Sequence, residues 1–184
     1  MKRGRRKKSL KRSGIGQVWL ETVIYTLIAL VMIGLVLGYA KPKIEQLQDK
    51  TLIEQSTSLV KEIDSTILTI GSAGNQRIIE LTIKEGSLII DGLNDKIVFE
   101  MESDLVYSEP GKNITDGDVI ILTEEKTDNY LVTITRDYKD DYDLKINGQD
   151  VSKTISKGSN SYKLTIANEG KGEDDRTILN MSIS

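Results

Sequence analysis

The sequence predicts an α+β protein, in which one long N-terminal helix precedes an all-β sandwich head domain. A run of nineteen uncharged residues occupies 22–40, and apolar residues then recur at helical spacing up to residue 70. From residue 77 onward the apolar period falls to two, and turn residues separate the segments. We therefore expect a helix over 17–72 and a head over 75–184.

The composition excludes most familiar catalytic chemistry. The 184 residues include no Cys and no His, so nucleophile pairs of the Ser-His or Cys-His type cannot form. Imidazole and thiolate ligands for zinc, haem or iron-sulfur clusters are missing as well. We expect a protein that is not an enzyme and that uses no cofactor and no metal.

The N-terminal segment is strongly basic. Its first sixteen residues carry eight positive charges and no Asp or Glu, while the whole chain has a net charge of −3, which leaves −11 for the remainder. A basic segment directly before a membrane span orients the N-terminus toward the cytoplasm, so the chain beyond residue 41 is expected outside. Such segments also serve as nucleic-acid-binding arms. The orientation rule already explains this one, and no nucleic-acid partner is expected.

The uncharged run 22–40 is long enough to cross a bilayer once. As a helix it covers about 28 Å, which is close to the thickness of the hydrocarbon layer. A secretory signal peptide has a shorter apolar core that ends in a small-residue cleavage site. This run continues instead into Lys41, Pro42 and Lys43. We expect either an uncleaved anchor or cleavage before the run.

Residues 14–21 read Gly-Ile-Gly-Gln-Val-Trp-Leu-Glu. With the basic segment before them, they resemble the class III (prepilin-like) signal peptides of archaeal type IV pilins and archaellins. The resemblance implies cleavage between Gly16 and Gln17, which removes a leader of residues 1–16. Glu21 then becomes the fifth mature residue, where such pilins carry Glu, whereas a cut after Gly14 would make it the seventh. The Gly-Ile-Gly stretch precedes the cut, which favours a pilin over an archaellin.

The same resemblance implies how the subunit assembles. Cleavage exposes an α-amino group that is largely cationic near neutral pH, and in such pilins it is thought to neutralise the Glu of a neighbouring subunit. We assign this role to Glu21. The implied partners are further copies, joined through their N-terminal helices, a prepilin-type signal peptidase, the pilus assembly platform and, before assembly, the cytoplasmic membrane.

Three further residues of the helix are candidates for a role in assembly. Gly34 and Gly38 are four residues apart, a spacing of small residues that allows membrane helices to approach closely. Pro42 lacks the N–H that would bond the carbonyl of Gly38, so we expect a bend or a local loosening there.

Beyond the span, the chain is expected to continue as an amphipathic helix over 41–70. Its apolar residues recur mostly at spacings of three, four or seven. They are Ile44, Leu47, Leu52, Leu59, Ile63, Ile67 and Ile70. The small residues from Gly71 to Gly74 are of the kind that ends a helix.

Eight or nine short strands are expected in the head, which is typical of a β-sandwich or barrel. The candidate segments read RIIELTIK, SLIID, KIVFEM, DLVYS, DVIILT, NYLVTITRDY, YDLKI, YKLTIAN and RTILNMSIS. Asn147-Gly148 lies between YDLKI and VSKTI and predicts a tight hairpin, because these residues accept the positive φ angles of a primed turn.

The head offers few candidate sites. Asn113 and Asn180 each begin an N-glycosylation sequon. We expect Asn113 in a turn and Asn180 in a strand, which makes Asn113 the better acceptor. Four carboxylates form an acidic cluster without the spacing of an EF-hand, and we interpret it as a solvated loop rather than a calcium site. They are Asp137, Asp140, Asp141 and Asp143.

These features predict a pilin, the structural subunit of an extracellular type IV pilus-like filament at the cell surface, with adhesion as a further role. Two alternatives stay open. One is an uncleaved, single-pass, membrane-tethered β-sandwich that binds a ligand. The other is a minor pseudopilin or archaellin-like subunit. The tethered protein would keep residues 1–16, so its intact mass separates it from a pilin that begins at Gln17.

Overall fold

A computed structural model describes residues 15–184 of the chain. A single helix, α1 (Ile15–Leu68), precedes ten strands, where the sequence pattern predicts eight or nine. The strands are β1 (Gln76–Leu81), β2 (Ser87–Asp91), β3 (Lys96–Ser103), β4 (Asn113–Asp116), β5 (Val119–Glu125), β6 (Tyr130–Asp137), β7 (Tyr142–Ile146), β8 (Ser152–Ser156), β9 (Tyr162–Lys171) and β10 (Thr177–Ile183). The predicted α+β class is confirmed. The chain divides into an N-terminal unit that ends at Ile44 and a head unit, Glu45–Ser184.

The strands of the head unit form two sheets. Six strands make an antiparallel sheet in the order β4-β5-β6-β3-β2-β8. The other four follow the order β1-β9-β10-β7, in which β10 and β7 run parallel. Burial alternates along the strands, as expected where one face of a sheet is covered. In β5, for example, Val119, Ile121 and Thr123 are buried and the residues between them are not.

The hydrophobic core of the head unit is shared by both sheets and by α1. Ile53, Val60, Ile63 and Ile67 of the helix are fully buried, and they belong to the same cluster as Phe99 of β3. The head over 75–184 contains strands and no helix within the described residues, and α1 adds its buried face to the core of that head. A six-stranded sheet presents a wider apolar face than four strands can cover, and the helix covers the remainder.

The buried face of α1 differs from the predicted apolar stripe. Leu47 is 66% exposed, whereas Ser56 and Thr57 are buried. Thr57 can occupy this face because its hydroxyl donates to the Ile53 carbonyl at 2.9 Å, which leaves no unsatisfied polar atom. Apolar spacing alone could not identify a face that includes hydrogen-bonded hydroxyl residues.

Arg136 of β6 and Asp64 of α1 connect the helix to the six-stranded sheet. Arg136 Nε donates to Asp64 Oδ1 at 2.7 Å, and the two side chains are only 17% and 13% exposed. Burial alone would lower the pKa of Arg136. The hydrogen bond to Asp64 and the negative charge of Asp64 outweigh burial, so the pKa of Arg136 is raised. The guanidinium lies 4.8 Å from the ring centroid of Tyr138. Burial, together with the charge of Asp64, raises the pKa of the Tyr138 phenol well above its usual range.

A second connection lies at the end of β3. Asp49 Oδ2 accepts hydrogen bonds from Ser103 Oγ at 2.9 Å and from the backbone N–H of Asp104 at 2.8 Å. The Ser103 hydroxyl also contacts the backbone of Leu105. These bonds turn the chain at the point where the segment DLVYS begins. The strand predicted for DLVYS is therefore wrong, because a carboxylate of the helix takes the place of a strand partner.

The turn at Asn147-Gly148 has the predicted conformation but not the predicted role. Both residues have positive φ angles, 51° and 76°, and Ile146 exchanges backbone hydrogen bonds with Gln149 across them. The strands on either side do not pair, however. β7 pairs with β10 and β8 pairs with β2, so the turn carries the chain from one sheet to the other.

A glycine at the start of β2 provides a test of the packing in the six-stranded sheet. Gly86 has a φ of +79°, and a Cβ there would lie 2.8 Å from Met101 Cβ and would also strike the Glu100 carbonyl oxygen. Gly117 has a similar φ of +68°, but a Cβ there meets nothing within 4 Å. We expect Gly86→Ala to cost about 3 kcal/mol of unfolding free energy and Gly117→Ala about 1 kcal/mol. Urea unfolding of the full chain in micelles would measure both, and equal losses would contradict the steric reason.

Candidate functional site

The N-terminal unit carries an apolar surface, which we define as the large apolar side chains of residues 18–39. Their exposed fractions run from 44% at Val23 to 74% at Tyr39. Within the described residues, α1 is the one helix that is long and apolar enough to cross a membrane. Exposure of so many large apolar side chains on all sides of a helix is unfavourable in water, so lipid or other protein must cover them.

Three polar side chains lie among these apolar residues, and the helix backbone provides a hydrogen-bond partner for two of them but not for the third. Thr22 Oγ1 donates to the Val18 carbonyl at 2.9 Å, and Thr26 Oγ1 donates to the Thr22 carbonyl at 2.7 Å. Both hydroxyls are therefore compatible with an apolar environment. Glu21 is the one charged residue between 17 and 40. The backbone N–H groups inside a helix already donate to backbone carbonyl groups, so they are not available to the Glu21 carboxylate. Burial of this face would therefore require a cationic partner for an ionised Glu21.

The glycines predicted to mediate contacts leave open space on the helix. A Cβ added at Gly34 or at Gly38 meets nothing within 4 Å, so a second helix could approach closely at either position. Pro42 lies inside α1, and the helix continues through it to Leu68 without interruption. The N-terminal unit ends two residues later, at Ile44.

The predicted processing site lies at the edge of the described part of the chain. Gly16 and Gln17 belong to the first turn of α1, and the side chain of Gln17 is outside the description. Residues 1–14, which make up most of the predicted leader, lie outside the described residues. Cleavage between Gly16 and Gln17 stays a prediction.

The two sequons are placed differently in the head. Asn113 is exposed on β4, an edge strand, rather than in the turn that was predicted. The turn comes later, because Asp116 already pairs with Val119 of β5. Asn180 lies in β10 as predicted, but its Nδ2 donates to Glu169 Oε1 at 2.6 Å. Since glycosylation requires that amide nitrogen, the geometry favours Asn113 as the acceptor.

The acidic cluster of the head is dispersed around the connection between β6 and β7. Asp137 accepts from the backbone N–H of Lys139 at 3.0 Å, and Asp143 lies 3.4 Å from Lys145 Nζ. Asp140 and Asp141 line a shallow open depression near Arg176. No three carboxylates within residues 15–184 converge on a point that could hold a metal ion.

The head unit also carries a groove that no sequence pattern predicts. It runs between the exposed side of α1, from Thr51 to Glu62, and the connection from β1 to β2, Thr82 to Glu85, and has a volume of about 350 Å³. The eight-residue interval between Glu54 and Glu62 places both carboxylates on one helix face. That spacing is visible in the sequence, but the connection that forms the other wall lies far away along the chain.

The apolar surface, the single carboxylate within it and the groove are the features that a partner could recognise. Comparisons of the chain with protein-family models, with curated proteins and with solved structures find no match.

Proposed function

We propose that the chain is the precursor of a pilin, the structural subunit of an extracellular type IV pilus-like filament. A prepilin-type peptidase removes residues 1–16 at the cytoplasmic membrane. The mature chain then polymerises through the apolar surface of its N-terminal helix, and the head faces outward on the cell surface. The observation that carries the proposal is this apolar surface, with Glu21 as its only charge.

Removal of the leader makes the transfer from lipid to filament physically possible. Eight positive charges cannot enter a hydrocarbon-like bundle, and each would cost a few kcal/mol at the centre of a membrane. Lipid is already apolar, so transfer of the helix from lipid to its neighbours gains stability from close packing rather than from the hydrophobic effect. The open positions Gly34 and Gly38 support such packing.

The α-amino group created by cleavage provides a partner for Glu21. Once helices pack around it, an unpaired carboxylate or ammonium group is strongly disfavoured, whereas a well-formed ion pair is tolerated. The pairing is therefore possible only after cleavage and only between subunits in register. Because of this ion pair, a subunit can join the filament only after its leader has been removed.

N-terminal sequencing and negative-stain imaging of material sheared from cells test the proposal. We expect filaments whose subunits begin at Gln17. Gly16→Val should block cleavage and leave the precursor in the membrane, because it adds a side chain at the cut. Gly14→Val is the matched control and should be processed normally. A native chain that keeps residues 1–16 and stays monomeric would instead identify a membrane-tethered module.

A further inference from the structure

The turn at Asn147-Gly148 is a chemically labile point of the head. It is the only Asn-Gly pair in the chain, and both residues are exposed. Asn is a thermolabile residue type, because the backbone nitrogen of the next residue can attack its side-chain amide. Glycine in that next position has no side chain to hinder the attack. The residue types alone therefore mark Asn147 as a site of deamidation.

Deamidation of Asn147 needs only the chain itself and water. The backbone nitrogen of Gly148 loses its proton and forms a bond to Cγ of Asn147. The side-chain nitrogen takes up a proton and leaves as ammonia, so that a cyclic imide remains. Water then opens the ring at either of its carbonyl groups. The products are an aspartate, or an isoaspartate that has an extra methylene group in the backbone.

The fold holds the reacting nitrogen of Gly148 against β10. The Gly148 N–H donates to Asn180 Oδ1 at 2.9 Å, and the N–H of Asn147 donates to the Met181 carbonyl at 3.0 Å. Asn180 Nδ2 donates to Glu169 Oε1 at 2.6 Å. Both bonds of Asn180 require the same orientation of its amide, because the oxygen faces a donor and the nitrogen faces a carboxylate. The Asn180 side chain is thereby fixed with its oxygen toward the turn.

We propose that Asn180 suppresses deamidation of Asn147 by keeping the Gly148 nitrogen protonated and away from the side-chain amide. A hydrogen-bonded backbone N–H gives up its proton only after a local opening of the structure. The bond from Gly148 to Asn180 must therefore break before the nitrogen can attack. Asn180 acts as a positioning residue, and this role is independent of the proposed filament.

The place of the turn in the fold makes its protection important. The turn carries the chain from β7 of the four-stranded sheet to β8 of the six-stranded sheet. Lys145 Nζ, close to it in the chain, already lies 3.4 Å from Asp143 Oδ2 and 2.8 Å from Asp150 Oδ1. A carboxylate in place of the Asn147 amide would add to these negative charges, and isoaspartate would lengthen the backbone between the sheets. Deamidation would therefore weaken the connection between the two sheets.

Incubation of the full chain in micelles at mildly alkaline pH tests the proposal, with peptide mapping by mass spectrometry to measure deamidation of Asn147. We expect Asn180→Ala to accelerate it about fivefold, the effect of one hydrogen bond on the opening equilibrium. Hydrogen exchange at the Gly148 amide should rise by a similar factor, whereas a general loss of stability would raise exchange throughout the head.

Asn129→Ala is the matched control. Asn129 Nδ2 donates to Glu102 Oε2 at 3.0 Å, so the variant removes the same kind of bond from the connection between β5 and β6. It should leave the rate at Asn147 unchanged. An equal acceleration in this control, or a wild-type rate in folded Asn180→Ala, overturns the proposal.

An exchange of polar partners keeps the test decisive if Asn180→Ala impairs folding. Asn180→Asp with Glu169→Gln preserves the net charge and leaves an oxygen to accept from the Gly148 N–H, while the amide introduced at 169 donates to the carboxylate introduced at 180. This double variant should react at the wild-type rate, and an acceleration as large as that of Asn180→Ala overturns the proposal. In urea the wild-type chain should react as fast as Asn180→Ala. A wild-type rate that urea does not raise would show that the fold gives no protection.

Discussion

Glu21→Leu is expected to abolish filament formation while membrane insertion and processing stay normal. In the proposed filament, the α-amino group of one mature subunit enters an apolar bundle and pairs with Glu21 of a neighbour. Without the carboxylate that ammonium group is buried alone, at a cost of about 3–5 kcal/mol. Each 1.4 kcal/mol is a factor of about ten in an association constant, so yield should fall by more than a hundredfold. Immunoblots of sheared and membrane fractions would measure it.

Two further variants separate loss of the Glu21 charge from a change in side-chain shape and from a general effect of replacing an exposed Glu with Leu. Glu21→Gln keeps the shape of the side chain but not its charge, so it should assemble as poorly as Glu21→Leu. Glu80→Leu is the matched control on the head, because Glu80 is exposed on β1 and should tolerate the change. Normal filaments from Glu21→Leu would remove the ion pair from the proposed mechanism.

Arg136→Met is expected to destabilise the head unit by about 3 kcal/mol or more. The change leaves Asp64, which is 13% exposed, as a carboxylate without its cationic partner. Lys61→Met is the matched control. Lys61 Nζ contacts Asp116 Oδ1 at 2.6 Å and also joins α1 to the six-stranded sheet, but the side chains are 41% and 57% exposed. That substitution should cost less than about 1 kcal/mol.

Urea unfolding of the full chain in micelles, followed by circular dichroism, would compare the two variants. Asp64→Leu combined with Arg136→Met should recover most of the lost stability, because the isolated charge disappears with its partner. Similar losses from Lys61→Met and Arg136→Met would show that burial does not decide the strength of these pairs.

Local features of the head were predictable because neighbouring residues determine them. The segment SLIID corresponds to the whole of β2, since β-branched residues between turn residues favour an extended chain. The positive φ angles at Asn147 and Gly148 follow from the low steric cost of that conformation in these two residue types. Neither prediction required a partner strand.

Which strands pair with each other was not predictable from neighbouring residues. Nothing near YDLKI and VSKTI indicates that β7 joins β10 in parallel while β8 joins β2. DLVYS has the composition of a strand, yet Asp49 turns the chain at Ser103 and Asp104. Asn113 lies in a strand because the turn at Gly117 allows Asp116 to pair with Val119. Each outcome depends on a residue outside the segment concerned.

The uncharged run, the position of Glu21 directly before it and the change from helical to strand periodicity follow from the order of residues alone. These properties come from the order of side chains along a few turns or strands. Tertiary structure alone decided which face of α1 enters the core, how Asp64 meets Arg136 72 residues away, and where the groove on the head unit lies. Such contacts form between distant segments only when the packing of the whole head compensates for the loss of chain entropy.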